Sequence, residues 1–393
     1  MTVLKQKNKL KNVMLGVFAS LVTLSQIGCA QLKSASVTTT SEAIADGETS
    51  TDAALGTQTD SDVTLQSQML EVQDAENYTF DLPQNSSFQG SASSGNMGDY
   101  RIYFIGDVES FDGLEIGKGI EGEYWGYSME ISDGTVHIFD NQMQEERDAF
   151  SCDLQFKDYV AVSIAADLQG MAKIQISTNG GYVEQEVPWV GTNGTLYVNA
   201  VGQTSLKDCR LSYDCNGWDK DIWLYGDSYF SMTADDRWTS YLIKNGSSDL
   251  MLSAYSGKTS EAALQSLKND LQYGTPEKVI WCMGMNDGDV DGEINASWLA
   301  CVKEVEALCA ERDIELILTT IPTCPYWNND SKNPYIKESG YRYIDFAGAV
   351  GAYDSITWDE GMLEESELRI HPTEEGARAL YYEAVTTVPE LGR

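Results

Sequence analysis

Four residues have the properties needed for one nucleophilic reaction. Ser228 ends a Gly-Asp-Ser triplet directly after a short apolar run, so a predicted strand presents its hydroxyl, and Gly226 permits a tight turn there. Gly257 lets a backbone N–H approach a ligand, and the Asn286 amide can donate a neutral hydrogen bond. His371 opens the last predicted helix, and histidine side chains titrate near neutrality. A hydroxyl, two donors and a base are therefore available.

Residues 217–393 have the pattern that would position these side chains. Short apolar runs, typical of strands buried in a parallel sheet, alternate with segments of helical spacing. The predicted strands are Ile222–Tyr225, Leu250–Ala254, Val279–Met283, Glu315–Thr320 and Tyr343–Phe346, and the clearest helices are Ser260–Tyr273 and Ala296–Arg312. This repetition predicts a three-layer α/β domain that binds ligands at the carboxyl ends of its strands. After Ser228 the chain runs toward a helical pattern through Tyr241, and we expect the N-terminus of that helix to favour developing negative charge.

Each candidate residue falls at a strand end or a helix start. By itself, Gly-Asp-Ser is more often a helix cap than a nucleophile. Gly257 follows the second predicted strand, Asn286 follows the third, and His371 precedes a helix whose first turn contains Glu374 and Glu375. Together they indicate one site.

These motifs resemble the Ser, Gly, Asn and His blocks of the SGNH/GDSL hydrolase family, over about residues 222–380. Ser228, Gly257, Asn286 and His371 each match one block, in the family's order. The resemblance implies a flavodoxin-like domain and acyl transfer to water through an acyl-enzyme on Ser228. It implies His371 as the general base, and an oxyanion hole formed by the Ser228 and Gly257 N–H groups with Asn286. No cofactor is implied.

One position departs from the family pattern. The family usually has an aspartate three residues before the histidine, and that position is Leu368 in this chain. The adjacent Glu367 could orient His371, or a backbone carbonyl could do so and leave a Ser-His dyad. Glu367 could equally be one exposed acid of an acidic segment.

Other suggestive residues give weaker signals. Asp287 and Asp289 lack a histidine or further regularly spaced oxygen ligands, so no metal site is predicted. Tyr326 and Trp327, in the loop after the fourth predicted strand, could reach substrate. Trp298 lies on a predicted helix and is expected in the core.

Residues 78–216 are predicted to form a separate all-β domain, a jelly-roll or lectin-like sandwich. Apolar patterns of period two are separated there by glycine-containing turns. The clearest hairpin is Tyr127–Asp140, with Asp133-Gly134 as its turn. This register places Glu130 opposite His137, which favours a solvent-facing pair over a catalytic role for His137.

Residues 1–28 resemble a signal peptide, because four lysines precede an uncharged apolar run from Val13 to Gly28. As a helix this run covers roughly 24 Å, less than a hydrocarbon core of about 30 Å. Its end resembles a bacterial lipobox, so either lipidation of Cys29 or ordinary cleavage would follow. Residues 29–77, rich in Thr, Ser and Asp, are predicted to be a disordered linker. We expect an exported bacterial protein, anchored at the cell surface or secreted.

Charge and cysteine spacing limit the partners and the chemistry. The 393 residues include 26 Lys and Arg against 61 Asp and Glu, a net charge of −35, which opposes contact with nucleic acid and anionic lipid. Membrane contact is expected only through a lipid anchor at Cys29. Cys209 and Cys215 would lie about 20 Å apart on one extended stretch, too far for a disulfide. Most of the later cysteines are therefore predicted to be core residues.

The expected substrate is an acetylated polysaccharide or another small ester. A β-sandwich ahead of an SGNH domain resembles the layout of some carbohydrate acetyl esterases. The alternative is a non-catalytic carbohydrate-binding or adhesion lipoprotein with a degenerate SGNH fold, which the missing aspartate allows. The presence of all four family residues favours the enzyme.

Overall fold

The computed structural model describes residues 76–90, 99–120, 125–141, 144–189, 195–230, 237–247, 249–254, 257–290, 292–324, 329, 331–352, 358–364 and 370–392. The predicted signal peptide, Cys29 and all but the last two residues of the predicted linker lie outside this set. All of the described residues belong to one compact unit.

The first twelve strands form two six-stranded antiparallel sheets. The strands are β1 (Glu76–Leu82), β2 (Ser87–Gly90), β3 (Tyr100–Ser110), β4 (Gly113–Ile120), β5 (Trp125–Ser132), β6 (Thr135–Asp140), β7 (Glu145–Ser151), β8 (Tyr159–Ala166), β9 (Met171–Thr178), β10 (Gly181–Pro188), β11 (Thr195–Val201) and β12 (Ser205–Cys215). One sheet has the order β1-β12-β3-β8-β9-β10 and the other β2-β11-β4-β5-β6-β7. The chain therefore passes repeatedly from one sheet to the other.

Side chains of the two sheets meet in a shared core. Phe80 of β1 stacks on Phe88 of β2, with ring centroids 3.7 Å apart. The fully buried Lys118 of β4 donates to the hydroxyl of Tyr213 on β12 at 3.0 Å. The jelly-roll or lectin-like classification of this region stays a prediction.

The hairpin of β5 and β6 has the register predicted from the sequence. Asp133 and Gly134 have φ angles of 48° and 73°, as a two-residue turn of the type I′ class requires. Glu130 is opposite His137, but the imidazole Nδ1 lies 2.8 Å from Glu146 on the other neighbouring strand. The His137 side chain is thus paired at the surface of this sheet.

The remaining strands form a five-stranded parallel sheet, as predicted. They are β13 (Ile222–Gly226), β14 (Leu250–Ala254), β15 (Lys278–Trp281), β16 (Glu315–Thr319) and β17 (Arg342–Ile344). Their order, β14-β13-β15-β16-β17, is the 2-1-3-4-5 order of flavodoxin-like folds. All residues of β13 and β14 are buried, which explains why these strands are continuous apolar runs.

The described α-helices form two groups, which fits one layer on each face of the parallel sheet. They are α1 (Trp238–Lys244), α2 (Ser260–Asp270), α3 (Ala296–Glu311), α4 (Lys332–Glu338), α5 (Phe346–Ala349) and α6 (Glu374–Thr387), with short 3₁₀ helices at Asn216–Asp219 and Pro389–Gly392. Helix α2 packs on α3, and α1 and α5 pack on α6. Among the residues described, no helix is long and apolar enough to cross a membrane.

The helix after Ser228 and the cysteines can both be compared with the predictions from the sequence. The helical pattern predicted to run through Tyr241 corresponds to α1, Trp238–Lys244. Directly after β13 the chain forms a tight turn, in which the Asp227 carbonyl accepts from the Phe230 N–H at 3.0 Å. The seven cysteines of the described part are buried and form no disulfide with one another, in agreement with the predicted core role.

Candidate active site

Ser228 and His371 are brought together across 143 positions of the chain. The Nε2 atom of His371 lies 3.0 Å from the Oγ atom of Ser228, and both residues are half-buried. At this distance an imidazole can take the proton of a hydroxyl as that hydroxyl attacks.

The turn that carries Ser228 is fixed by the residues on either side. The Asp227 carboxylate accepts from the Tyr229 N–H at 3.1 Å. A Cβ atom on Gly226 would lie 2.3 Å from the Phe230 ring, so only glycine fits beneath the turn. Burial raises the pKa of Asp227 from its ordinary value of 3.8 to about 7, so this carboxyl takes up a proton near neutral pH.

The three predicted oxyanion-hole residues emerge at the same edge of the parallel sheet. Strand β13 lies between β14 and β15, and all three run in the same direction. Ser228, Gly257 and Asn286 follow the carboxyl ends of β13, β14 and β15 within a few residues. This edge is where open α/β sheets bind ligands.

Gly257 and Asn286 belong to two loops that are hydrogen-bonded to each other. Gly257 is exposed and has a φ of +76°, a conformation that side chains disfavour. The Asn286 amide nitrogen donates at 3.0 Å to the carbonyl of Lys258, the residue that follows Gly257. Because a primary amide has two N–H groups, the second can donate to a ligand.

Asp287 ties the same loop to the start of α2. Its carboxylate accepts from the Ser260 N–H at 3.1 Å and from the Ser260 hydroxyl at 2.8 Å. The Thr259 side chain also caps α2, accepting from the Ala262 N–H at 3.4 Å. The role of Asp287 is therefore to fix the loop that contains Gly257.

Lys258 is a buried cation directly next to Gly257. Its Nζ atom donates to the carbonyl and the hydroxyl of Ser253, at 3.1 and 2.9 Å. Burial lowers the pKa of Lys258 from its ordinary value of 10.5 to about 7. Lys258 is not among the site residues predicted from the sequence, where it is simply one lysine in a short glycine-containing loop.

His371 lies in an irregular segment just before α6. The segment folds back on itself, since the Glu364 N–H donates to the His371 carbonyl at 3.1 Å and Leu363 bridges to Pro372. This brings the Glu364 Oε1 atom to 3.4 Å from His371 Nδ1. Glu367, the acid considered from the sequence, lies outside the described residues. Glu364 was missed because it lies seven positions before the histidine, outside the family's usual spacing of three.

Asp289 is paired with a lysine in the interior. Its Oδ1 atom lies 2.8 Å from Lys332 Nζ, and both side chains are almost fully buried. Lys332 also donates to Asn329 at 2.7 Å. The ammonium group occupies the place beside Asp289 where a cation would bind. Among the residues described, no group of three or more His, Cys, Asp or Glu side chains could hold a metal ion.

A small cavity lies beside the nucleophile turn. Its lining includes Asp227 and Tyr229, which flank Ser228, together with Met285 and Ile321. Tyr326 and Trp327, predicted to reach substrate, lie outside the described residues. Trp298 is buried and its indole donates to the Met283 carbonyl at 3.0 Å, which agrees with the predicted core position.

Comparisons with known proteins gave matches only among solved structures. No family model and no curated protein matches the chain. A psychrotrophic esterase from Pseudoalteromonas sp., inhibited by monoethylphosphonate, has 18% identity and a TM-score of 0.34, covering 43% of this chain and 96% of its own. A GDSL-like lipase from Bacteroides thetaiotaomicron has 17% identity and a TM-score of 0.35, covering 44% and 88%. An alpha/beta hydrolase enzyme from the metagenome of Lake Arreo has 18% identity and a TM-score of 0.34, covering 43% and 95%. Function is therefore inferred from the geometry of the site itself.

Proposed function

We propose that the protein is a carboxylic ester hydrolase of the SGNH/GDSL type with Ser228 as its nucleophile. The observation that carries the proposal is the 3.0 Å separation between His371 Nε2 and Ser228 Oγ at the carboxyl edge of the parallel sheet. A serine hydroxyl is a weak nucleophile unless a base removes its proton during attack. His371 takes this proton and later returns it to the leaving alcohol, and water then hydrolyses the acyl-enzyme.

The negative charge that develops on the carbonyl oxygen needs fixed donors. In this proposal they are the N–H groups of Ser228 and Gly257 and the second N–H of the Asn286 amide. The Asn286 bond to the Lys258 carbonyl supports this role, because it holds the amide beside the glycine loop. The cationic form of Lys258 adds favourable charge near the same loop.

The acid that orients the base is Glu364 in this proposal. Its carboxylate lies beside His371 Nδ1, the nitrogen opposite the one that faces Ser228. A carboxylate there fixes the tautomer of the imidazole and stabilises the imidazolium that forms. Glu364 therefore takes the role of the family's aspartate three residues before the histidine. Ser228, His371 and Glu364 form the catalytic triad in this proposal.

The substrate proposed is an acetyl ester on a polysaccharide, and the protein is proposed to act outside the cell. The motifs at residues 1–29 support export, and the antiparallel sheets ahead of the parallel sheet support a glycan substrate. Residues 78–216 would then pack beside the cleft or bind the glycan.

The function is tested by measuring release of p-nitrophenol from p-nitrophenyl acetate by the wild-type protein and by Ser228→Ala. We expect the variant to lose at least 1,000-fold in kcat, because no other group can form the acyl-enzyme. Labelling of the wild-type protein by a fluorophosphonate, absent in Ser228→Ala, would identify the nucleophile directly. Equal rates for the two proteins would refute the enzyme and favour the non-catalytic glycan-binding alternative.

The acyl group and the glycan are tested separately. Acetate release from acetylated xylan, acetylated mannan and O-acetylated peptidoglycan compares the candidate polymers. A series of p-nitrophenyl acetate, butyrate and octanoate compares the acyl groups, and we expect kcat/KM to fall with chain length. A preference for octanoate would leave the hydrolase intact but contradict the acetyl assignment.

A further inference from the structure

Tyr229 contacts both arms of the candidate site. It follows Ser228 in the chain, and its hydroxyl donates to the carbonyl of Ile370, the residue before His371. Its ring also meets the imidazole of His371 edge to face, with centroids 5.9 Å apart and planes at 61°. One side chain therefore connects the neighbour of the nucleophile to the neighbour of the base.

The Tyr229 ring is itself held firmly. Only 3% of the residue is exposed, and Trp358 packs against the ring edge to face at 6.2 Å. The Trp358 indole is fixed in turn by a hydrogen bond of 2.7 Å to the Thr323 carbonyl. A ring packed on several sides has little freedom to move, so the segment to which it is hydrogen-bonded is held in place as well.

The segment that carries His371 contains little regular structure that could fix its position. Between Trp358 and the start of α6, its described residues make a single isolated bridge, Leu363 to Pro372, and no regular strand or helix. A displacement of about 1 Å between catalytic groups can lower a rate about 100-fold. The backbone hydrogen bonds next to His371 join parts of this same segment, Glu364 to His371 and Thr373 to Met362, so side-chain contacts are needed to fix the imidazole relative to Ser228.

We propose that Tyr229 is a positioning residue, whose hydroxyl holds the Ile370 carbonyl and thereby keeps the His371 imidazole within proton-transfer distance of Ser228. This inference rests on the proposed function. Tyr229 does not itself exchange protons in the reaction. Burial raises its pKa well above the ordinary value of 10, so it remains a neutral donor throughout the assay range.

The test is Tyr229→Phe, which keeps the ring and removes only the hydroxyl. We expect kcat on p-nitrophenyl acetate to fall about 10- to 100-fold with KM within about twofold, because the base moves while the substrate contacts remain. Tyr225→Phe is the matched control, since it removes a hydroxyl that donates to Asp270 from an equally buried tyrosine. That control should lower the melting temperature without lowering kcat.

A second measurement does not depend on catalysis. The chain contains two histidines, His137 and His371, so a protein labelled with ¹⁵N-histidine gives two assignable sets of imidazole signals. Tyr229→Phe should shift the His371 signals and leave those of His137 unchanged, because His137 lies in the antiparallel sheet next to Glu146.

The outcomes separate this inference from the proposed function. Unchanged His371 signals in Tyr229→Phe overturn the positioning role whatever the rate, and shifted signals with kcat within twofold of wild type overturn it too. A rate loss equal to that of Tyr225→Phe would also overturn it, since the effect would then be general. Loss of the esterase itself is decided only by Ser228→Ala, and the imidazole signals remain readable in that case.

Discussion

His371 is the residue whose surroundings decide how well Ser228 can be deprotonated. The imidazole is contacted on one side by Ser228 Oγ at 3.0 Å and on the other by Glu364 Oε1 at 3.4 Å. The Tyr229 ring packs against its edge. Three contacts of different chemical types, a hydroxyl that donates to it, an acidic partner and an aromatic ring, therefore fix its orientation.

Glu364→Gln tests the acidic partner at this site. The change keeps the side-chain size and removes the negative charge that stabilises the imidazolium, so we expect kcat on p-nitrophenyl acetate to fall about 10-fold or more. Glu360→Gln, which changes an exposed acid of the same segment, should alter kcat less than twofold. Glu367→Gln is the third variant to assay. Loss of activity in that variant, with Glu364→Gln active, would return the orienting role to the acid first considered from the sequence.

The residue types of the site could be predicted from the sequence, whereas their partners could not. Ser228, Gly257 and Asn286 each follow an apolar run, so the end of a buried strand locates them. The bond from Tyr229 to Ile370 spans 141 residues, and no local pattern encodes it. Glu364 depends on a fold-back of its own segment, which no apolar periodicity marks.

At the scale of elements, strands were predictable where apolar patterning is strong. The β5 to β6 hairpin was predicted with its register, because its turn residues define it. Strand β14 was predicted with its bounds, because its continuous burial makes it one apolar run. Several strands of the antiparallel sheets were not predicted individually, and β7 and β10 are two of them. Each lies at the edge of its sheet and is largely exposed, so neither shows the alternation of a half-buried strand.

The loop after β15 is hydrogen-bonded through Asn286 and Asp287 to the loop after β14, and we call these contacts the clamp. Asn286 bonds the Lys258 carbonyl, and Asp287 bonds both the N–H and the hydroxyl of Ser260. The two strands that flank β13 therefore lead into loops that hold each other at the predicted oxyanion hole. The position of Gly257 depends on both.

Asp287→Ala tests this clamp. It removes the acceptor of two hydrogen bonds at the start of α2, so we expect the free energy of unfolding to fall by about 1–3 kcal/mol. We also expect kcat to fall, because the Gly257 loop loses its anchor. Urea unfolding of Asp287→Ala, Ser260→Ala and the double variant gives the coupling energy, expected at about 1 kcal/mol. Additive effects of the two single variants would contradict a direct clamp.

At the scale of the whole molecule, one buried carboxylate joins the antiparallel sheets to the parallel sheet. Asp270 on α2 accepts from the indole of Trp218 at 2.9 Å and from the hydroxyl of Tyr225 at 2.8 Å. Trp218 lies in the 3₁₀ helix that follows β12, with its ring edge against Tyr213. Tyr225 lies on β13, the strand that leads to Ser228. Asp270 therefore links the end of β12 to the strand that carries the nucleophile.

The charge state of this carboxyl should make stability depend on pH. Burial raises the pKa of Asp270 from its ordinary value of 3.8 to about 6, so between these values the folded chain keeps a proton that the unfolded chain has lost. Its contribution to stability is thus fully present below pH 3.8 and is lost as the pH rises through about 6. Asp270→Asn keeps the shape of the side chain and removes this titration.

The free energy of unfolding of Asp270→Asn, measured relative to wild type, should therefore rise between pH 4 and pH 7, by about 3 kcal/mol at most for a shift of this size. Comparing the two proteins at each pH cancels the titration of the many surface acids, which both share. Asp313→Asn, an exposed substitution in the loop before β16, is the matched control and should show a flat difference. A flat difference for Asp270→Asn as well would mean that the carboxyl is ionised in the folded protein throughout this range. The hydrogen bonds from Trp218 and Tyr225, together with the charges of Lys258 and Lys118, all lower its pKa and would then outweigh its burial.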